Sequence, residues 1–122
     1  ALPRFVQLFL DASDVDAVRA FWRAALGYVP DRRDGVSDIV DPRRLNPELV
    51  FQKLVETDTE RRGQRNRIHV ELALPADAAE ARVAAALAAG GSVPGFEGED
   101  ESGGRRWCLA DPEGNELAIV EG

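Results

Sequence analysis

The chain has 122 residues, 44% hydrophobic and 30% charged, a balance that supports one globular domain and excludes a disordered segment. Its 15 basic and 22 acidic residues leave a net charge of −7, which argues against a general nucleic-acid binder, because such proteins must neutralise phosphates. The single cysteine, Cys108, cannot form an internal disulfide, and no apolar run approaches the about 20 residues that span a bilayer.

Residues 1–10 lack the charged-then-apolar layout of a secretory signal. The absence of an initiator Met points to processing or trimming ahead of Ala1, and the expected location is the cytoplasm. Residues 5–10 are a compact β-prone run and read as a strand. Ser13, with Asp16 three residues on, has the form of a helix N-cap. Val18, Phe21, Trp22 and Ala25 then recur at helical spacing, and Gly27 closes the helix. Residues 28–33, 37–41 and 48–56 supply three further strands, separated by Asp34-Gly35 and the loop 42–47.

The second half repeats this order. Residues 68–74 alternate apolar and polar, as a strand with one buried face does. An Ala-rich helix is expected over 77–89, closed by Gly90-Gly91, followed by strands over 92–96, 105–110 and 116–120. Asp111-Pro112-Glu113-Gly114 matches a type I turn. The expected architecture is α+β: two βαβββ modules, about 1–60 and 66–122, packed as one domain over 1–122 because neither alone has much core.

Period-two alternation puts Phe5, Gln7 and Phe9 on one face of the first strand, two rings with an amide between them. Trp107 is a candidate second wall, so a small-molecule pocket with apolar sides is the expectation. Core packing is the competing reading for each ring, and the favoured one for Trp22. The acidic balance would suit a cationic ligand. Arg61, Arg62, Arg65 and Arg67 read as a solvated joint, Glu97 to Glu101 as an exposed acidic loop, and Cys108 as inert.

The segments Asp14…Phe21-Trp22-Arg23-Ala24-Ala25-Leu26-Gly27-Tyr28, Leu49-Val50-Phe51-Gln52, Asn66-Arg67-Ile68-His69-Val70-Glu71-Leu72 and Asp111-Pro112-Glu113-Gly114-Asn115-Glu116-Leu117 follow in order along nearly the whole chain. Together they resemble the glyoxalase/bleomycin-resistance/extradiol-dioxygenase superfamily, the vicinal oxygen chelate fold, and in particular its small glyoxalase-like proteins. The resemblance implies paired modules curling around a shared cleft, and a homodimer. It also implies up to four metal ligands, whose positions fall here on Gln7, Gln52, His69 and Ala118. Ala118 stands where metal-dependent relatives carry Glu and offers no donor, so the inherited site reads as degenerate. A displaced N/O site from His69, Glu71, Glu116 and Gln7 is the alternative for a divalent Zn, Ni, Fe or Mn ion. The resulting expectation is a protein that binds a small organic molecule through Phe5, Gln7, Phe9, Gln52, His69 and Trp107. The alternative is a metal-dependent lyase or dioxygenase acting on vicinal oxygens, and no nucleic acid or membrane partner is expected.

Overall fold

The computed structural model describes residues 1–54, 68–94, 98–99 and 104–122. The first module comprises β1 (Gln7–Ala12), α1 (Val15–Leu26), β2 (Val29–Pro30), β3 (Ile39–Val40) and β4 (Glu48–Lys53). The second comprises β5 (Val70–Leu74), α2 (Ala76–Ala88), β6 (Gly98–Glu99), β7 (Arg105–Ala110) and β8 (Glu116–Glu121). The sheets have matching orders, β1-β4-β3-β2 and β5-β8-β7-β6. In each, the strand before the helix lies parallel to the last strand of its module. The α+β arrangement of two βαβββ modules expected from the sequence is present.

Val18, Phe21, Trp22 and Ala25 are the buried face of α1, as their spacing requires, and Phe21 meets Trp22 edge to face at 5.4 Å. Ala79, Val83 and Ala86 do the same for α2. The two helices carry the main contact between modules, and one core cluster runs from Ala12 to Ile119. No described helix is long and apolar enough to cross a membrane.

Local details differ from the sequence expectation. Asp14, not Ser13, caps α1: its carboxylate accepts the Ala17 amide at 3.1 Å. The Ser13 and Asp14 amides instead donate to the Glu113 carboxylate at 2.7 and 2.6 Å. A long-range acid therefore takes the donors that a capping box would have satisfied locally. Gly27 does close α1, in the left-handed conformation at φ 72°. Of the strand expected over 92–96, residues 92–94 show a bridge between Ser92 and Ala110, and residues 95 and 96 lie outside the described residues; β7 pairs with 98–99. The strands expected over 28–33 and 37–41 pair at only two residues each. The arginine-rich joint 61–67 and most of the acidic loop lie outside the described residues.

Candidate functional site

Alternation along β1 turns Leu8 and Leu10 towards the core and leaves Gln7 and Phe9 exposed. Phe9 is 50% exposed and Phe5, just ahead of the strand, 67%. On the neighbouring β4, Leu49 and Phe51 are buried, so Glu48, Val50 and Gln52 belong to the same outer face as Gln7 and Phe9. The register sets Gln7 level with Glu48 and Gln52 level with Asp11. Gln7 and Gln52 therefore stand four residue steps apart along the sheet, about 13 Å at strand rise.

In the second module Val70 pairs with Leu117 and Glu71 with Ala118. Continuing that register by one residue puts His69, exposed at the start of β5, level with Glu116. Each module thus places a side-chain amide or imidazole of its first strand beside a glutamate of its last. Glu71 is ion-paired with Arg106 across the sheet. Ala118 is buried, 1% exposed, and faces Cys108 on β7. Trp107 is not a cleft wall: it packs with Leu109 in the core, and the Arg105 guanidinium lies over its ring at 4.7 Å. The β7 register decides this, because residue 107 falls on the helix-facing side of the sheet.

A family model for a glyoxalase-like domain matches residues 7–120. The chain belongs to the glyoxalase-like family. Solved structures of similar fold include a glyoxalase-related enzyme from Fulvimarina pelagi, at 21% identity and TM-score 0.72, covering 99% of this chain and 89% of that one. A glyoxalase/bleomycin resistance protein/dioxygenase family enzyme from Burkholderia phytofirmans PsJN is 16% identical with TM-score 0.72, covering 98% of each chain. A fosfomycin resistance protein from Listeria monocytogenes is 10% identical with TM-score 0.73, covering 100% of this chain and 93% of that one. At these identities the likeness is one of fold. No curated protein matches the chain.

The metal positions inherited by this glyoxalase-like chain do not fit an ion. Gln7 and Gln52 stand four residue steps apart on the first sheet, and Ala118 supplies no donor. The displaced set is not gathered either. Among the described residues, the one group of three or more His, Cys, Asp or Glu with ligand atoms mutually within 4.8 Å is Asp31, Asp38 and Glu48. Arg33 bridges two of its members, contacting Asp31 and Asp38 at 3.1 Å each. His69, Glu71 and Glu116 do not form such a group.

Electrostatics around the first sheet are set by two carboxylates that the sequence reading did not single out. Asp41 is 2% exposed and pulled down to about 2, first by hydrogen bonds from the Arg43 guanidinium and further by the Arg43 and Asn46 amides. Glu48 is pushed up, first by burial and then by its hydrogen bond with Asp38. The Asp41-Pro42 start of the loop was a legible turn signal. The nearness of Glu48 to Gln7 was not, because it depends on the pairing of strands 41 residues apart. A cavity of about 680 Å³ runs along the seam between modules, bounded by Leu8, Leu26, Tyr28, Leu72, Leu74 and Arg82. Phe5 and Glu71 border it, while Gln7, Phe9, Gln52 and His69 do not.

Proposed function

We propose that the protein binds a small organic molecule with a planar part on the outer faces of its paired sheets, without a resident metal. One observation carries this reading. Two exposed aromatic rings, Phe9 on β1 and Phe5 just ahead of it, flank an amide, Gln7, in the chain, with the polar Gln52 on the same sheet face as Gln7 and Phe9. Exposed rings at fixed spacing around an orienting hydrogen-bonding group are a binding surface in want of an occupant. His69 and Glu116 supply the matching polar pair from the second module. A homodimer completes the reading: exposed Phe5, Phe9 and Ile68 give each chain apolar surface to share with a second copy.

A second reading, a metal-dependent lyase or dioxygenase of the glyoxalase kind, draws on the pairing of Gln7 with Glu48 and of His69 with Glu116. Those two carboxylates would supply the negative charge that the inherited positions lack.

One experiment separates the readings. A fragment titration followed by amide NMR is expected to move signals of residues 5–9 and 69, and Phe9→Ala should weaken aromatic hits about fivefold or more. Hits confined to the outer surfaces of the helices would overturn the binding reading. Calorimetry with Zn²⁺ or Ni²⁺ should give weak binding or none. Stoichiometric tight binding, lost in both His69→Ala and Glu116→Gln, would replace it with the enzyme.

A further inference from the structure

The connection between β3 and β4 is organised by one buried carboxylate. Asp41 accepts the Arg43 amide at 2.9 Å and the Asn46 amide at 3.0 Å, while its carbonyl accepts the Arg44 amide at 2.9 Å. These bonds wind the loop tightly enough to hold Arg44 at φ 61°, the one non-glycine residue at positive φ among those described. A residue with a Cβ is disfavoured there, and glycine or asparagine is the ordinary solution. The strained position puts Arg44 on the rim of a pocket of about 290 Å³, opposite the segment that leads into β1.

Arg4, Phe5 and Gln7 line that pocket from the β1 side, with Leu45 and Glu48 beside them. Arg43 is committed to Asp41, which cancels the charge of that pair. The Arg4 and Arg44 side chains have no hydrogen bond or ion pair with any other described residue. Two arginines therefore line one small pocket together with two carboxylates, Asp41, held by Arg43, and Glu48. Asp31 and Asp38 stand behind Glu48, paired with Arg33, and Asp31 attracts Arg44 through space. The carboxylates are engaged with these partners, whereas the two arginine side chains keep their hydrogen-bond donors available. Leu45 is 75% exposed and Phe5 67%, so the rim offers apolar surface beside the two arginines.

We propose that this pocket takes the oxyanion head of a small organic anion, a carboxylate or phosphoryl group, with Arg4 and Arg44 as its donors and Phe5 and Leu45 against the apolar body. The proposal rests on the reading of the β1 face as a small-molecule surface, and it names the class of ligand. It runs against the global charge of −7, which by itself would suit a cation. Beyond a screening length of about 8 Å at physiological salt the distant acids count for little, so the donors left available at the pocket decide.

Four probes of one shape test it: benzoate, phenyl phosphate, neutral benzamide and cationic benzamidine, each titrated by amide NMR and calorimetry. The anions should move the amides of Phe5, Gln7, Arg44 and Leu45 and bind about fivefold or more tighter than benzamide. The tighter of the two anions identifies the head group. Arg4→Gln and Arg44→Gly should each remove about fivefold of anion affinity, while Arg32→Gln, outside the pocket, should not. Arg44→Gly suits its backbone, so loss of binding there cannot be blamed on unfolding. Benzamide or benzamidine matching the anions, or an anion preference surviving in the double variant, would overturn the proposal while leaving the β1 surface standing. If none of the four touches residues 5–9, the surface reading falls with it.

Discussion

Asp111 shows how much one residue can organise. It is 2% exposed, and its carboxylate accepts the Trp22 indole at 2.9 Å, the Glu113 and Asn115 amides at 2.9 Å each, and the Asn115 side chain at 2.7 Å. The turn 111–114 of the second module is thereby tied to the largest buried side chain of α1. Asp111→Ala leaves several buried donors unsatisfied, so urea unfolding should show a loss of about 3 kcal/mol or more. Trp22→Phe, which removes one donor and some packing, should cost about 1–3 kcal/mol. Asp41 makes the corresponding case in pH. Its folded value, about 2, lies below the ordinary aspartate value of about 3.9, so its contribution is present above that value and lost as pH falls towards 2. Acid titration of stability should therefore show a decline between about pH 4 and pH 2 that is shallower in Asp41→Asn, whose baseline is already lower.

At the scale of elements, the helices are fixed by packing partners that lie far away in sequence. The N-terminus of α1 receives the Glu113 carboxylate from the other module, placing negative charge against the positive end of the helix. The C-terminus of α2 turns at Gly90 and Gly91, where a Cβ on Gly91 would stand 2.5 Å from the Phe21 ring and 2.9 Å from the Ala86 carbonyl. Here glycine is required by close approach rather than by φ. Gly91→Ala should destabilise by about 1–3 kcal/mol through overpacking, read from the shift in urea midpoint with unchanged slope. Strand register is the other decision made at this level. A shift of one residue between β5 and β8 would move His69 away from Glu116 and reverse the faces of every partner.

At the scale of the molecule, the core cluster draws residues from both modules, and the ties from Trp22 to Asp111 and from α1 to Glu113 cross between them. One cooperative unit is the expected behaviour. Denaturation followed by tryptophan fluorescence and by far-UV dichroism should give coincident curves. If two chains share their exposed apolar faces, the midpoint should also rise with protein concentration. Two separated transitions would contradict the single domain, and a midpoint independent of concentration, with light scattering near the 13.3 kDa of one chain, would contradict the dimer.

The sequence by itself determined the kinds and order of elements, because helical and strand periodicity are local: α1, α2, β5, β7 and β8 stand within two residues of their expected places. It also determined that Gln7 and Phe9 share a face of β1, since alternation needs no partner; Phe5 lies ahead of the strand. What it could not determine was anything set by pairing or packing between distant segments. Trp107 fell into the core, Gln52 stood four steps from Gln7, and Glu48 arrived beside Gln7, all through strand registers that no single strand encodes. The Asp14 cap displaced Ser13 because Glu113, 99 residues away, claimed the neighbouring amides. The pocket between Arg4 and Arg44 likewise exists only in three dimensions. Its strained loop conformation is held by a buried aspartate, while the second arginine comes from a segment 40 residues earlier in the chain.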